Sequence, residues 1–408
     1  MPRDPLVPGE GVEPSRAFAH GFLRPARLPI PPSRPSRPSV APRCLATVAL
    51  TLVAIVAAAC AEAPATDTGL PTIAFLYDGA PPDADLVSGP ALAGLELAAR
   101  EAGDVEIEPV NVGEESDEVR ESLRAVSEDR RVVAAVVAPW TAPPPGAIEL
   151  LAAEDMPVVT LSWAWGPPDE GPWRSFAVGR AQEAVALLDA AGALVPEGAD
   201  LCLAGDDHPT SRALLATADE LGTAAGDPPI VVAGAVRSGS ATTADAVAAR
   251  IAEADCPILA WIGSASAAGA VLDAGADPAT IVATSRLKTD EGLALAAPGR
   301  DVRSTCACPD VSLSIDADAQ RFVHDVQAES GAPPGAYTVD AYDAGRLLIG
   351  LLDASAPTRG AVAAELSRVT TFAGFVDTYA FEIDGSRAAV APDAVGRWRA
   401  VGSRWMPA

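Results

Sequence analysis

The chain has 408 residues but only one lysine, Lys288, and three histidines. Lys288 follows a leucine, which excludes a P-loop, because that motif places its lysine directly after a glycine. A single lysine also leaves few candidates for Schiff-base chemistry. With 55 acidic against 29 basic residues and a net charge of −26, the chain lacks the basic footprint that phosphate binding requires. Nucleic acid is therefore not expected as a partner.

Sequence motifs of common enzyme and metal sites are missing as well. The chain contains no G-x-S-x-G, H-E-x-x-H or G-x-G-x-x-G, which are signatures of hydrolases, zinc proteases and dinucleotide-binding proteins. The last four cysteines are spaced C-x53-C-x49-C-x-C, and this is not a zinc pattern. We therefore expect neither an enzyme nor a metal or cofactor site.

The first 60 residues differ in composition from the rest. Residues 1–59 carry a net charge of +4, which leaves −30 for residues 60–408. Arg43 precedes the apolar run CLATVALTLVAIVAAAC, which has the length of a signal-peptide core and is short for a membrane span. Its small residues before Cys60 resemble a bacterial lipoprotein signal, which implies that Cys60 carries a lipid. Residues 1–59 are thus predicted to be a signal region and 60–70 a linker.

An uncleaved N-terminal anchor is the alternative for this region, since Ala57 stands where lipoprotein signals usually have leucine. Residues 28–42 are rich in Pro, Ser and Arg, and we interpret residues 1–39 as a misassigned start. A start at Val40 would leave a compact signal. The mature chain is expected outside the cytoplasm, lipid-anchored to the outer face of the cell membrane.

From Thr72 onward, apolar strands alternate with helices. TIAFLYDG and VVAAVVAP are typical of buried parallel strands. SGPALAGLELAAREAG is typical of a helix that Ser88 can cap and Gly103 ends. The alternation restarts at RAQEAVALLDAAGAL. Two such runs predict an α/β fold with two doubly wound parallel sheets, and a ligand cleft where the carboxyl ends of their strands face each other.

Four stretches, in this order, resemble the type 1 periplasmic-binding-protein fold, and specifically the leucine/branched-chain amino-acid family of ABC-transporter substrate-binding lipoproteins. The resemblance covers about residues 70–408 and implies two Rossmann-like lobes joined by a three-crossing hinge. The stretches are SGPALAGLELAAREAG, VVAAVVAPWTAPPPGAIELLAAEDMPVVTLSWA, SRLKTDEGLALAAPG, and RFVHDVQAESGAPPGAYTVDAYDAGRLLIGLL with FAGFVDTYAFEIDGSR.

The resemblance also implies where the chain passes between lobes. Crossings are expected near Gly179, Arg303 and Thr378. The first lobe would then comprise residues 71–178 and 303–378, and the second lobe residues 179–302 and 379–408.

In the first lobe, the resemblance places the ligand's carboxylate against hydroxyl and backbone N–H groups at the ends of two strands. Thr141 and Ser162 match those positions, with Trp140, Trp163 and Ala164 beside them. The alternative for Thr141 and Ser162 is a helix cap or a turn hydrogen bond. Two further tryptophans, Trp165 and Trp173, are expected to pack at the edge of the domain.

In the second lobe, the stretch AGDDHPTSRAL follows the first strand. Thr210 stands where the family usually has an aromatic residue, and Asp207 beside His208 offers a partner for an ammonium group. The alternative for Asp207 and His208 is a solvated cap of the next helix. The tryptophans favour a ligand with an apolar or cationic body, because indole rings attract cations. The remaining candidates end the next two strands and are expected to face the cleft: Trp261, Ser264, Ser285 and Arg286.

Four cysteines follow Cys60, and an even number outside the cytoplasm suggests disulfides, with three possible connectivities. Cys202 and Cys256 lie on or just before strands that should be neighbours, so this pair is the first choice. Cys306 and Cys308 would then bridge each other, or each would pair elsewhere.

The implied function is that of a monomeric lipoprotein, held at the membrane through Cys60, that binds a small molecule and delivers it to an ABC permease. The ligand would be an amino acid, an amide or an amine-like compound. The alternative is a ligand-sensing lipoprotein of the same fold that signals to a membrane partner. A third hypothesis is an enzyme or a structural protein of the cell envelope.

Overall fold

The computed structural model describes residues 69–79, 88–113, 115–138, 142–167, 171–226, 228–237, 239–296, 299–309, 311–390 and 395–408. The predicted signal region, Cys60, Trp140 and Thr141 lie outside these residues. Within the described ranges, no helix has the length and apolar character needed to cross a membrane.

Strands and helices alternate along most of the described chain, as the sequence predicts. Two short 3-10 turns, Trp163–Trp165 and Ser285–Leu287, follow strands β4 and β9. The elements are, in chain order, β1 (Thr72–Tyr77), α1 (Ser88–Ala102), β2 (Glu106–Asn111), α2 (Ser116–Glu128), β3 (Val132–Val137), α3 (Ala147–Ala152), β4 (Val158–Thr160), β5 (Trp173–Ser175), α4 (Arg180–Gly192), β6 (Leu201–Asp206), α5 (Pro209–Ala225), β7 (Ile230–Val236), α6 (Ala241–Ala254), β8 (Ile258–Ile262), α7 (Ala265–Asp273), β9 (Thr280–Ala283), α8 (Asp290–Ala294), β10 (Asp301–Cys306), α9 (Ala317–Ser330), α10 (Thr338–Ala354), α11 (Arg359–Leu366), β11 (Thr371–Ala373), β12 (Thr378–Ala380), β13 (Gly396–Val401) and β14 (Arg404–Pro407).

The first sheet contains strands β1 to β5, all parallel, in the order β2-β1-β3-β4-β5. Strands β1 and β3 are buried at every residue, because helices cover both faces of a parallel sheet. One face packs against helices α1, α9 and α10, and the other against α2 and α3. Since β1 lies between β2 and β3, the chain reverses its winding there, which leaves a crevice at the carboxyl ends of these strands.

The second sheet has the order β14-β13-β10-β9-β8-β6-β7. Its strands β6 to β10 are parallel, whereas β13 and β14 form an antiparallel edge beside β10. The reversal of winding falls at β6, between β7 and β8. The predicted α/β fold with two doubly wound sheets is confirmed.

We call the first sheet with α1–α3, α9–α11, β11 and β12 the first lobe, and the second sheet with α4–α8 the second lobe. Residues 303–306 pair within the second sheet, so they belong to the second lobe and not to the first as predicted. Tyr379 and Phe381 pack in the first core, so the last crossing follows them instead of lying near Thr378. Both predicted boundaries fell inside strands, because a strand's sequence does not tell which sheet it joins.

Helices α1 and α10 approach each other closely because each presents a glycine at the contact. A Cβ atom on Gly94 would lie 2.1 Å from the carbonyl oxygen of Thr338, and one on Gly345 would lie 2.8 Å from Leu95 Cδ1. Thr338 is the first residue of α10. The glycine contact therefore sets the position of the N-terminal turn of α10, which lies at the junction of the two lobes.

The four described cysteines form two pairs, of which Cys202–Cys256 was the first choice from the sequence and Cys306–Cys308 was one of the options left open. Cys202 on β6 and Cys256 before β8 are bonded with Cα atoms 5.7 Å apart, and Cys306 and Cys308 with Cα atoms 5.1 Å apart. The first bridge ties two neighbouring strands of the second sheet. The second lies at the point where the chain leaves β10 for the first lobe.

Candidate functional site

The two lobes meet at a small cavity whose walls come from both of them. Its volume is about 20 Å³, which is room for roughly one water molecule. A small organic molecule could enter only if the lobes moved apart. The wall is mostly apolar and contains two carboxylates. The lining residues are Leu161, Ser162, Trp163, Phe176, Ala177, Val178, Glu183, Thr305, Ala307, Tyr337, Asp340 and Val395.

Trp163 of the first lobe crosses to the second lobe. Its side chain packs against the core formed by α4 and α5, and its indole Nε1 donates a hydrogen bond of 2.7 Å to Glu183 Oε2 on α4. The guanidinium carbon of Arg180 lies 5.8 Å from the centre of the Trp163 ring. Trp163 thus connects the two lobes beside the cavity.

Glu183 is partly buried where the lobes meet. Burial raises the pKa of Glu183 to about 7, while the hydrogen bond from Trp163 and the positive charge of Arg286 act in the opposite direction. The carboxyl group therefore changes its charge near neutral pH, at a position that opening of the lobes would expose to water.

A second hydrogen bond crosses between the lobes at Ser285 and Tyr337. Their side-chain oxygens lie 3.0 Å apart. Ser285 begins the turn after β9 in the second lobe, and Tyr337 precedes α10 in the first. Tyr337 has a left-handed backbone conformation with φ of 63°, which is uncommon for a residue with a side chain. Burial raises the pKa of Tyr337, so it stays neutral and available for hydrogen bonding.

Asp340 lies in the first turn of α10 and is 3% exposed. Its Oδ1 accepts a hydrogen bond of 2.8 Å from Tyr379 Oη, whereas its Oδ2 has no hydrogen-bond partner among the described residues. Burial raises the pKa of Asp340 to about 7, against the lowering effects of the Tyr379 hydrogen bond and the charge of Arg387. A buried acceptor thus lines the cavity with one oxygen unused by the fold.

A second, smaller cavity lies on the other side of the Trp163–Glu183 pair. Arg286 lines it and donates a hydrogen bond of 3.1 Å to Ser211 Oγ. Its volume is about 10 Å³, and the lining residues are Trp163, Glu183, Thr210, Ser211, Leu214, Ile262, Thr284 and Arg286. Because Trp163 and Glu183 line both cavities, separating them would join the two spaces.

The predicted site residues divide into three groups. Ser162, Trp163, Thr210 and Arg286 line one or both cavities, and Ser285 makes the hydrogen bond to Tyr337 beside them. Their contact with a ligand stays a prediction. Trp140 and Thr141 lie outside the described residues. The structure places the other candidates away from both cavities: Ala164, Asp207, His208, Trp261 and Ser264.

The expectation that Trp261 faces the cleft is wrong for this structure. Trp261 is fully buried in the core of the second lobe, and its indole donates to the carbonyl oxygen of Ser264. Ser264 caps helix α7 through its hydroxyl group. The sequence predicts Trp261 in the cleft because it lies near the end of a strand, but its side chain points into the core of the second lobe.

Three further candidates serve local structure. Ala164 packs against the first core. Asp207 has a side chain 38% exposed, with Oδ2 3.9 Å from Arg237 Nε. His208 stands at the N-cap position of α5. The buried acid at this strand end is Asp206, which accepts hydrogen bonds from the backbone N–H groups of His208 and Ser264.

Glu183, Tyr337 and Asp340 were not identified from the sequence. Glu183 and Asp340 stand in RAQEAV and TVDAYD, where an acid near a helix start is typical of a solvated first turn. In a chain with a net charge of −26, no local signal separates them from surface acids. Only their position at the junction between the lobes makes them part of the site.

Comparison with protein families gives one match, which spans most of the chain. Residues 71–402 match the periplasmic binding protein family. Comparison with curated protein sequences found no match.

Solved structures with the same fold include several proteins of ABC transporters. One is a substrate-binding protein from Desulfitobacterium hafniense in complex with leucine, at 16% identity and a TM-score of 0.60, with 83% of this chain and 99% of that chain covered. Another is a branched-chain amino acid transporter substrate-binding protein from Streptococcus pneumoniae with isoleucine, at 13% identity, a TM-score of 0.62, and coverage of 83% and 99%. A third is a solute-binding protein from R. palustris with benzoate, at 15% identity, a TM-score of 0.64, and coverage of 83% and 95%.

Proposed function

The chain belongs to the periplasmic binding protein family and has its type 1 fold, and from this premise we propose that it is an extracytoplasmic lipoprotein that captures a small molecule between its lobes and delivers it to an ABC permease. The observation that carries this proposal is the cavity between the lobes. Its walls combine strand ends of both sheets with an apolar lining and a few polar groups, which is the composition of ligand sites in proteins.

Capture would proceed by movement of the lobes about their crossings. The described cavity holds about 20 Å³, so the lobes must separate before a ligand enters. The hydrogen bonds Trp163–Glu183 and Ser285–Tyr337 join the lobes directly and would break on opening. A ligand that replaces these bonds by its own contacts with both lobes would favour the closed form, which a permease can distinguish from the open one.

The class of ligand follows from the groups that line the site. The similar proteins whose structures were solved with leucine, isoleucine and benzoate show that this fold accommodates small molecules with apolar bodies. Leu161, Phe176 and Val178 supply an apolar wall here. We propose an amino acid, an amide or an amine-like compound as the ligand.

Thermal denaturation and calorimetric titration of the chain with amino acids, amides, small amines and aromatic carboxylates test the proposal. A ligand at 100 times its Kd stabilises the folded state by about 2.7 kcal/mol, which is a clear rise in melting temperature. If no compound of this panel raises the melting temperature, the binding function is contradicted.

The anchor and the transport role have separate tests. Incorporation of a labelled fatty acid into the full chain, and its loss in Cys60→Ser, would support the lipoprotein assignment. Permease and ATPase genes beside the gene for this chain would support transport, whereas a membrane kinase or receptor gene would support sensing.

A further inference from the structure

Asp340 provides a hydrogen-bond acceptor that the fold itself does not use. It is 3% exposed and lines the cavity between the lobes, and its Oδ2 has no partner within the described part of the chain. An unpaired buried polar atom is destabilising by about 1–3 kcal/mol, and more when it is charged. Such an atom is rare in a folded protein, and in a ligand cavity it is where a donor from a ligand would bind.

The surroundings of Asp340 carry more negative than positive charge. Two further carboxylates lie near it, Asp343 on the same helix and Asp377 before β12. Each of these two is paired with an arginine: Arg346 Nη1 lies 3.4 Å from Asp343 Oδ1, and Arg387 Nη2 lies 2.8 Å from Asp377 Oδ2. Neither arginine forms an ion pair with Asp340 within the described residues. The arrangement therefore leaves Asp340 available to a cation.

A second carboxylate lies on the opposite lobe. Glu183 on α4 lines the same cavity as Asp340, and its oxygen Oε2 accepts a hydrogen bond from Trp163. When the lobes open, Glu183 leaves Trp163 and becomes free to accept a hydrogen bond from a ligand. Two acids from two lobes, with apolar residues between them, match a compact cation that has an apolar body.

Resting on the proposed function, we propose that Asp340, together with Glu183, selects ligands that carry a protonated amine on an apolar body. Asp340 Oδ2 accepts a hydrogen bond from the ammonium group, and Leu161, Phe176 and Val178 contact the hydrocarbon part. Carboxylates without an amine, such as benzoate, are disfavoured because they would bring a negative charge to this acidic wall. Asp340 is thus a specificity-determining residue that touches the ligand.

The charge state of Asp340 supports a measurable pH dependence. Its pKa is raised to about 7 by burial, and an ammonium group binds the ionised form. Affinity for amines should therefore fall as the pH is lowered from 8 to 5.5. The titratable and charged groups that act on Asp340 are Tyr379, Arg387, Asp343 and Asp377, and Glu183 lies across the cavity.

The test compares matched ligands that differ in one group. Leucine, 3-methylbutylamine and 4-methylpentanoate share a branched hydrocarbon, as phenylalanine, benzylamine and benzoate share a ring. Calorimetric titration at pH 8 is performed on the wild-type chain and on the variants Asp340→Asn, Glu183→Gln and Asp318→Asn. Asp318→Asn is the matched control, since Asp318 is an exposed acid on α9 of the first lobe and lies outside both cavities.

We expect the amine-bearing compounds to bind more tightly than the two carboxylates. Asp340→Asn should weaken amine binding by about 10- to 100-fold, the range for a hydrogen bond to a charged group. It should not weaken carboxylate binding, because it removes a negative charge from the wall. Glu183→Gln should weaken amine binding by a smaller factor, and Asp318→Asn should not change it. Thermal denaturation of each variant shows whether it is folded.

Two results would overturn the inference in different ways. If benzoate or 4-methylpentanoate binds as tightly as its amine, or if folded Asp340→Asn binds amines like the wild type, the amine selection fails while the binding function stands. If amines, amino acids and carboxylates all fail to bind the wild-type chain, the proposed function fails together with the inference.

Discussion

Asp340 shows how a single residue at the site works against the stability of the fold. Its buried carboxyl group has one unused oxygen and a pKa raised to about 7 by burial. In the unfolded chain the pKa of aspartate is about 3.9. The folded state therefore binds the proton more tightly than the unfolded chain does. The free energy of unfolding is consequently highest at low pH, and it falls as the pH rises through about 7, because the buried carboxyl group then becomes charged.

We accordingly expect Asp340→Asn to raise the free energy of unfolding at pH 8 by about 1–3 kcal/mol, because it replaces a buried charge by a neutral polar group, which costs less to bury. At pH 5, where the wild-type carboxyl group is protonated, the gain should largely disappear. Urea denaturation at both pH values measures the difference. Asp318→Asn is the control, because the exposed ion pair of Asp318 with Arg321 is worth no more than about 1 kcal/mol. A loss of stability in Asp340→Asn of equal size at both pH values would contradict this account.

Arg359 donates hydrogen bonds to the C-terminal end of helix α2. Its guanidinium group donates to the carbonyl oxygens of Val126, Ser127, Asp129 and Val132. The first two belong to the last turn of α2, where carbonyl groups have no partner within the helix. One side chain of α11 thus closes the C-terminal end of α2 and joins it to the start of β3.

At the scale of elements, the position of α10 decides where Asp340 lies. The helix packs against α1 through Gly94 and Gly345, and a Cβ atom at Gly94 would meet the carbonyl oxygen of Thr338 at 2.1 Å. That oxygen belongs to the backbone and cannot move without the helix. The close approach of two helices is therefore coupled to the geometry of the site.

Gly94→Ala should lower the free energy of unfolding by about 1–3 kcal/mol through overpacking, and should also weaken ligand binding because α10 is displaced. Gly350→Ala, on α10, is the matched control. No described atom lies within 4 Å of a Cβ atom at Gly350, so alanine should stabilise by roughly 0.5–1 kcal/mol and leave binding unchanged. Chemical denaturation and titration with a bound amine check both variants. If both substitutions changed the free energy of unfolding and the ligand affinity equally, the change would come from helix propensity and not from the contact between α1 and α10.

At the scale of the whole molecule, the proposed function depends on the balance between open and closed lobes. The two tryptophans of LSWAW have different roles in this balance. Trp163 reaches across and donates to Glu183, whereas Trp165 is buried in the first core at 1% exposure. The structure places Trp165 and the fully buried Trp173 in packing positions, as expected from the sequence.

Trp163→Phe should remove the hydrogen bond between the lobes and raise the open population. A loss of about 1.5 kcal/mol corresponds to roughly a tenfold change in the ratio of open to closed forms. Small-angle X-ray scattering of the ligand-free chain should then show a larger radius of gyration than the wild type. Trp165→Phe should lower the melting temperature without changing the radius of gyration. A Trp163→Phe variant as compact as the wild type would show that this bond does not hold the lobes together.

The sequence by itself determined the elements, the α/β class and four of the residues that line the cavities. Apolar runs such as VVAAVV form strands buried on both faces, and Ser162, Trp163, Thr210 and Arg286 lie at the cavities because strand ends in such folds face the cleft. The pairing of Cys202 with Cys256 followed from neighbouring strands. These features depend on periodicity and chain order, which are local properties.

Only the tertiary structure decided which side chains share the space between the lobes. Glu183 and Asp340 are separated by more than 150 residues, and each resembles an ordinary acid of a helix start. Trp261 reads as a cleft residue but is buried in a core, because the two sides of a strand end look alike in sequence. Whether a side chain is buried, and which cavity it lines, is decided only when distant segments pack together. This packing brings Glu183, Asp340 and Trp163 to the junction of the lobes.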